Sequence, residues 1–286
     1  MSNISIFAKP AFLNTNPYSP YKKENYKGHG HLQRVSSIIR GEQIANYLGV
    51  KLNPEYGYGN DVCVYVKPHL KKGQDFKFEG RKSYLDIVDG HALGEIASTY
   101  PEVGVIVCSE IDKKTLWESI PNQLTLIPQH HCNFERKKRK SKKIKRIGVI
   151  GVEKAFNFLP PHLGKELADR GIQLVFYSKF FERQDIIDFY MSIDLQIVWR
   201  PYNKILSNPL KIVNAASFGI PTIALDEEAF KEVEGVYIPC QDFKDFIYKL
   251  DILLSPIELY KRLSTRCVET AEKYHINNIS KLYLNL

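Results

Sequence analysis

The sequence has few cysteines and no long apolar run, and each scarcity excludes a class of protein. The longest stretch that resembles a membrane span, residues 103–108, falls far short of the roughly 20 residues that a membrane helix needs. The five cysteines are odd in number and widely spaced, without the C-x-x-C pairs of a zinc knuckle, and they indicate no disulfide framework. Residues 1–10 lack an apolar segment of signal-peptide length. We therefore expect a reducing, cytoplasmic setting and a protein that is soluble or peripheral at a membrane.

The bulk composition is that of a globular protein. Hydrophobic residues make up 44% and charged residues 25% of the 286 positions, which excludes a disordered, collagen-like or coiled-coil chain. At about 100–200 residues per domain, the length predicts two domains. The net charge of +8 is the one unusual bulk property, and it suggests nucleic acid, anionic lipid or an acidic substrate as a partner.

Most of this charge belongs to one segment. Residues 136–146, RKKRKSKKIKR, hold nine of the 40 basic residues, and the rest of the chain has 31 basic against 32 acidic residues. The segment has almost nothing to contribute to a core, so we predict a linker. Two interpretations stay open for it: a solvated connection, or a binding surface for an anionic membrane or nucleic acid.

The hydrophobic pattern predicts an α/β fold. Short runs rich in Val, Ile and Leu alternate with amphipathic segments of about ten residues, which is typical of parallel sheets covered on both faces. The predicted strands are 4–8, 62–66, 85–88, 105–108 and 124–127, then 147–150, 172–177, 195–199, 222–225 and 236–238. The predicted helices are 35–48, 92–100, 112–119, 161–170, 184–191, 209–218, 227–233, 242–254 and 256–274.

This alternation predicts two Rossmann-like domains that face each other across a cleft. They would comprise residues 1–135 and 147–270, with the basic linker between them and a helix in residues 271–286 packing back on the first domain. Ligands bind at the carboxyl ends of parallel strands, so the cleft is the expected site.

The most informative stretch is residues 199–224. Asn208 and Pro209 form a typical helix start, and Gly219 and Pro221 end the helix about ten residues later. Lys211 then lies in the first turn, where the helix dipole disfavours a cation by about 0.3–1 kcal/mol. A phosphate held by this ammonium and the free N–H groups would explain the lysine. The alternative is a solvent-facing lysine tolerated at small cost.

Here the sequence resembles the GT-B glycosyltransferases, most closely their family-4-like branch. Residues 208–224, NPLKIVNAASFGIPTIA, resemble the donor-site helix motif P-x-K-x-x-E-A-x-x-x-G-x-P-V-I-A, and residues 185–199 resemble the unit that precedes it. The positions in register are Pro209, Lys211, Ala215, Gly219 and Pro221. Residues 40–49, 61–66, 84–89 and 126–128 also agree, so the resemblance spans nearly the whole chain.

The resemblance implies transfer of a sugar from a nucleotide-sugar donor, a UDP-sugar by preference, to a hydroxyl of a glycan or lipid-linked saccharide, without a metal. The donor would lie on the C-terminal domain and the acceptor on the N-terminal one. Lys211 and the backbone of Asn208, Pro209 and Leu210 would hold the diphosphate. Arg200 is a second phosphate candidate, with a surface ion pair as its alternative. The nucleobase would lie near Tyr177, Ser178 and the Trp199–Arg200 pair.

One departure from the family pattern concerns two glutamates eight positions apart. The corresponding residues here are Leu206 and Asn214, of which Asn214 can still hydrogen-bond a sugar hydroxyl. The donor sugar and the choice between retention and inversion therefore stay open.

Histidines follow several predicted strands and are candidates for the base that activates an acceptor hydroxyl. His29 and His31 lie in the loop after the first strand, His91 follows Asp89-Gly90, and His131 follows Pro128 with one histidine before it. Each alone is better explained as a polar loop residue than as a catalyst, but together they predict that one contacts substrate.

Two other functions are compatible with the sequence. A GT-B-like epimerase would act on the nucleotide sugar itself, but it needs carboxylates near the sugar, where Leu206 and Asn214 are neutral. A nucleic-acid- or membrane-binding GT-B-like protein, including a DNA-base glycosyltransferase, would use residues 136–146. The sequence shows no helix-turn-helix, RNP or finger pattern, so DNA ranks below a lipid or polysaccharide acceptor.

Overall fold

The N-terminal domain contains a six-stranded parallel sheet. A computed structural model describes residues 3–8, 35–68, 70, 73, 76–141, 143–180, 182–202 and 204–286. The strands are β1 (Ile4–Ala8), β2 (Lys51–Leu52), β3 (Val62–Val66), β4 (Lys82–Val88), β5 (Gly104–Val107) and β6 (Leu124–Leu126). Their order in the sheet is β2-β1-β3-β4-β5-β6.

The C-terminal domain contains a five-stranded sheet, also parallel throughout. Its strands are β7 (Arg146–Ile150), β8 (Gln173–Tyr177), β9 (Leu195–Val198), β10 (Thr222–Leu225) and β11 (Tyr237–Cys240). The order is β11-β10-β9-β7-β8. In both sheets the order reverses beside the first strand of the domain, between β1 and β3 and between β7 and β9. Such a reversal leaves a crevice at the carboxyl ends of the two strands, where ligands bind.

The helices cover the sheets. They are α1 (Gln43–Leu48), α2 (His91–Ala97), α3 (Glu110–Trp117), α4 (Glu153–Phe156), α5 (Leu163–Asp169), α6 (Arg183–Ser192), α7 (Leu210–Ser217), α8 (Phe243–Leu254), α9 (Ile257–Ala271) and α10 (Ile276–Leu284). A π-helical segment, Ser37–Glu42, leads into α1, and 3-10 helices occupy Glu228–Val233 and Glu272–Tyr274. In the described part of the chain, no helix combines the length and apolarity that crossing a bilayer requires.

The predicted architecture of two parallel-sheet domains is confirmed. The strands form where Val, Ile and Leu runs are buried on both faces, as in β3 and β5, whose residues are all buried. The pattern missed β2 and α4 because two and four residues are too few to show a period. It also predicted one regular helix over residues 35–48, whereas the first part is π-helical. There Gly41 lies so close to β1 that an added Cβ would be 2.4 Å from the Cβ of Ala8.

Both ends of the described chain contribute to the N-terminal core. Helix α10 packs beside α1, and its residues Ile276, Ile279 and Tyr283 are buried in the same cluster as Ile4 and Ile6 of β1. The N-terminal domain is therefore built from two separate parts of the sequence.

The basic segment 136–146 is fixed to the C-terminal domain. The carboxylate of Asp194 accepts hydrogen bonds from the side chains of Arg139 and Ser141 and from the backbone of Lys145 and Arg146. Burial opposes ionisation of Asp194, but these donors outweigh it and lower its pKa. Ile144 enters the core beside β7. Among the described residues of the segment, the exposed lysines are 137, 138, 140, 143 and 145.

Candidate functional site

A cavity of about 500 Å³ lies between the two domains. On the N-terminal side it is lined by the residues that follow β4 and β6, among them Asp89 and Gln129. On the C-terminal side it is lined by the ends of β7 and β9 and by the first turn of α7. The carboxyl ends of strands from both sheets thus meet at one cavity, the edge at which parallel sheets bind ligands.

Lys211 is the central cation of this cavity. It lies in the first turn of α7, and its Nζ donates a hydrogen bond to the backbone oxygen of Ile150, 3.1 Å away at the end of β7. The side chain is accessible because it faces the cavity, yet protein surrounds it closely. This burial, together with the charges of Arg200 and Lys204, lowers the pKa of Lys211 to about 8.

The start of α7 resembles the predicted geometry. The helix begins at Leu210, one residue later than expected, and Pro209 is its buried cap residue. The Asn208 side chain accepts a hydrogen bond of 3.2 Å from the backbone N–H of Leu210. Asn208, Leu210 and Lys211 all line the cavity, so this part of the predicted donor site is assembled in one place.

Gly151 was not singled out from the sequence, although a glycine directly after a buried strand is a signal for close approach of backbone and ligand. It lines the cavity immediately after β7, and a Cβ at this position would lie 3.3 Å from Nζ of Lys211. The glycine therefore leaves room for both the ammonium and a group bound to it.

Arg200 follows β9 and forms a paired contact rather than pointing freely into the cavity. Its guanidinium makes two hydrogen bonds to the carboxylate of Glu227, which is 8% exposed, and a third of 2.8 Å to Oγ of Ser207. This partly buried ion pair forms part of the cavity wall. The sequence allows a phosphate ligand or a surface ion pair at Arg200; the structure shows an ion pair that is partly buried rather than on the surface.

A second cavity of about 210 Å³ adjoins the first and shares Ile150, Gly151 and Lys211 with it. Its walls are mainly apolar and come from the π-helical segment, α6 and α7. Asn214 lines this cavity, and its Oδ1 accepts a hydrogen bond of 2.8 Å from the backbone N–H of Cys132. An apolar group joined to an anion at Lys211 would fit this arrangement.

The two residues predicted to lie near a nucleobase, Tyr177 and Ser178, are at the end of β8. The ring of Tyr177 stacks on Phe189 with a centroid distance of 5.2 Å, and the Ser178 hydroxyl lies 3.4 Å from the carboxylate of Glu153. Neither residue is among those that line the two cavities.

The two candidate histidines that the structure describes, His91 and His131, do not lie together. His29 and His31 lie outside the described residues. His91 is the first residue of α2, 3.7 Å from Glu95, and does not line the cavity. His131 is buried where the domains join, with its ring edge-on to His275, and burial lowers its pKa to about 3. This burial leaves His131 poorly suited to accept a proton from a bound hydroxyl.

Asp89 is a carboxylate that lines the cavity and that the sequence does not mark as a site residue. It follows β4, and its carboxylate pairs with Lys67 at 2.6 Å and with Lys204 of the C-terminal domain at 3.7 Å. Burial alone would raise the pKa of Asp89, but the two ammonium groups lower it. The preceding Val88 has a φ of +57°, a strained value for a β-branched residue of the kind found at functional sites.

Leu206, at one of the two positions where the family pattern has a glutamate, lies outside both cavities. It is 2% exposed and packs in the core of the N-terminal domain, although it belongs to the loop between β9 and α7 of the C-terminal one. This contact connects the donor-side loop to the opposite domain.

Comparison with known proteins defines the class of this fold. The sequence matches no protein-family profile and no curated protein. Solved structures do match. A sucrose-phosphate synthase from Thermosynechococcus elongatus has a TM-score of 0.59 at 13% identity, over 98% of this chain and 88% of its own. HepE from Anabaena, solved with UDP and glucose, has a TM-score of 0.54 at 12% identity, over 68% of this chain and 65% of its own.

The pneumococcal O-GlcNAc transferase GtfA, solved with UDP and GlcNAc, has a TM-score of 0.55 at 12% identity, over 89% of this chain and 60% of its own. This chain thus spans 65% of HepE and 60% of GtfA. These likenesses show the fold, and it is the GT-B arrangement of two facing Rossmann-like domains that the sequence predicted.

Proposed function

We propose that the protein transfers a sugar from a nucleotide-sugar donor to a hydroxyl acceptor. The observation that carries the proposal is the ammonium of Lys211, held in the first turn of α7 at the interdomain cavity, at the position of the lysine in the donor-site motif that the sequence resembles. A helix start and a cation together favour a diphosphate.

The two adjoining cavities support one arrangement of the donor. Its diphosphate would contact Lys211 and the start of α7 near Asn208 and Leu210, while Gly151 leaves the space it needs. The nucleoside would occupy the smaller apolar cavity, with Asn214 near its ribose. We propose UDP as the nucleotide because HepE and GtfA are both UDP complexes.

In this arrangement the protein assists departure of the diphosphate. Negative charge grows on the leaving group as the bond to the sugar breaks, and a cation held in a fixed position beside that group stabilises the growing charge more than it stabilises the bound donor. Lys211 has this position. Since the ammonium and the helix start supply the positive charge, we propose that transfer needs no added metal; full activity in EDTA is the expected result.

The acceptor side is the N-terminal wall of the cavity. Asp89, kept ionised by Lys67 and Lys204, is placed to accept a hydrogen bond from an acceptor hydroxyl. Its lowered pKa makes it a weak base, so His29 and His31 remain the proposed proton acceptors. We propose a glycan or lipid-linked saccharide as the acceptor.

The exposed lysines of the basic segment offer a second contact. Five of them, at 137, 138, 140, 143 and 145, are exposed on one short stretch, and each Lys near an anionic membrane surface contributes about 1 kcal/mol. We propose that they bring the enzyme to anionic lipid that carries the acceptor. Sedimentation with vesicles containing phosphatidylserine tests this: binding should be lost when the five lysines become glutamine.

A thermal-shift screen against UDP-, GDP-, ADP- and CMP-sugars tests the donor. A ligand at 100 times its Kd stabilises the folded protein by about 2.7 kcal/mol, which is readily detected. We expect a response to a UDP-sugar, and a clearly smaller response at the same concentration in Lys211→Met. No response of the wild-type protein to any of the four would overturn the proposed function.

A further inference from the structure

The loop between β9 and α7 belongs to the donor side of the cavity but is held by the opposite domain. Trp199, Arg200, Ser207 and Asn208 of this loop line the cavity. Between them, Leu206 is buried in the N-terminal core beside residues of β4, β5 and α3. The loop that shapes one wall of the donor site is therefore fastened at a point outside its own domain.

The fastening is a pair of buried hydrogen bonds at the start of α3. Oδ1 of Asp112 accepts from the backbone N–H of Ser207 at 2.8 Å, and the hydroxyl of Ser109 donates to the backbone oxygen of Ser207 at 2.7 Å. Ser109 is also the N-cap of α3, since its Oγ accepts from the backbone N–H of Asp112. Asp112 and Ser109 are both fully buried, so the backbone of Ser207 is held on both sides in an environment without competing water.

The side chain of Ser207 connects this fixed backbone to Arg200. Its hydroxyl accepts a hydrogen bond of 2.8 Å from the Arg200 guanidinium and donates one of 3.3 Å to Glu227. Arg200 lies in the cavity wall, in the loop that leads into α7. The contacts thus form one series that runs from Asp112 through Ser207 to Arg200.

We propose that Asp112 is a positioning residue for the donor site: from the N-terminal domain it sets the place of Ser207 and, through it, the direction of the Arg200 guanidinium in the cavity. This inference rests on the proposed function and adds to it a residue that touches neither substrate nor cavity. It also means that the donor site has its full geometry only when the two domains are in contact.

A double-mutant cycle separates positioning from a general structural role. Arg200→Ala and Asp112→Ala are each expected to raise the Kd for UDP about tenfold. The first variant removes the charge-assisted contact of the Arg200 guanidinium with UDP, and the second misplaces it. If Asp112 acts through Arg200, adding Asp112→Ala to Arg200→Ala changes the Kd less than about twofold. Asp112→Asn should keep near wild-type affinity, because its side-chain oxygen can still accept from the N–H of Ser207.

Glu232 provides a matched control. It also reaches from the C-terminal domain to the start of α3, where its carboxylate accepts from the backbone N–H of Glu110, but it does not contact Ser207. Glu232→Ala is expected to leave the Kd for UDP unchanged. Should Asp112→Ala fail to fold, Asp112→Leu takes its place in the cycle, since leucine fills the buried space but cannot accept from the N–H of Ser207. Ser207→Ala tests the remaining contact, because it removes only the hydroxyl that bridges to Arg200.

A second readout does not depend on nucleotide binding. The chain has two tryptophans, and Trp199 lies next to Arg200 in the loop. In a Trp117→Phe background, Asp112→Ala or Ser207→Ala should red-shift the emission of Trp199 and raise its quenching by acrylamide, whereas Glu232→Ala should not.

The outcomes are distinct. Equal loss of UDP affinity in the wild-type and Arg200→Ala backgrounds, or an unchanged Trp199 signal in folded Asp112→Ala, would overturn the inference. Absence of UDP binding to the wild-type protein together with the expected Trp199 response would instead refute the proposed donor and leave the positioning role standing.

Discussion

Replacing Lys211 with methionine should weaken UDP binding and remove its pH dependence above neutrality. Methionine keeps most of the apolar stem but lacks the ammonium that donates to Ile150 in the cavity. A hydrogen bond to a charged group contributes about 1.5–3 kcal/mol, so the Kd at pH 7 should rise by about 10- to 150-fold.

The pH dependence follows from the lowered pKa of Lys211. In the free protein this pKa is about 8, and a bound diphosphate raises it because the ammonium then faces negative charge. Binding above pH 8 must therefore take up a proton. By linkage the wild-type Kd should rise about twofold at pH 8 and about elevenfold at pH 9 relative to its value well below pH 8. The Kd of Lys211→Met should stay flat over the same range.

Isothermal titration with UDP at pH 7, 8 and 9, in buffers of different ionisation enthalpy, measures both the affinity and the proton uptake. Lys249→Met is a matched control, because Lys249 also donates to a strand backbone oxygen, that of Pro239, but does not line either cavity. The reasoning is refuted if Lys211→Met binds UDP as tightly as the wild type, or if both proteins weaken in parallel with pH.

Three further changes have defined outcomes. Gly151→Ala should weaken UDP binding at little cost in stability, because the added methyl crowds the flexible end of Lys211; equal UDP titrations for variant and wild type would contradict this. Arg40→Ala should lower the free energy of unfolding in urea by about 3–5 kcal/mol, since it leaves Asp86 buried and unpaired. As a control, Arg136→Ala, which breaks the exposed pair with Glu272, should lower it by at most about 1 kcal/mol. Burial raises the pKa of Asp112 to about 7. Its contribution to the free energy of unfolding should therefore fall by up to about 1.4 kcal/mol per pH unit as the pH rises from 4 to 7. Urea denaturation of Asp112→Asn over the same range should lack this contribution.

The features that sequence predicts best here are local ones. The strands and the start of α7 follow from short-range rules, because runs of Val, Ile and Leu and the Asn208-Pro209 pair fix conformation within a few residues. Lys211 was found because it contradicts such a rule, a cation in a first turn.

The contacts that cross the domain boundary could not be read from the sequence. Asp112 and Ser207 are 95 residues apart, and nothing near either residue marks the other as its partner. Burial is equally non-local: His131 follows a strand as a site residue would, yet the junction of the domains encloses it. The pairing of Arg200 with Glu227 could not be predicted either, because the sequence around each residue is typical of a surface position.

The return of α10 to the N-terminal domain has a consequence for synthesis of the chain. Domains generally fold as units, with the N-terminal one first on the ribosome. Here the core around β1 stays incomplete until Ile276 and Tyr283 have been synthesised. By that stage the segment from β7 to α9, which contains the core of the second domain, has already been synthesised. The second domain can therefore complete its core before the first, and the apolar face that α10 covers stays open to water during that interval.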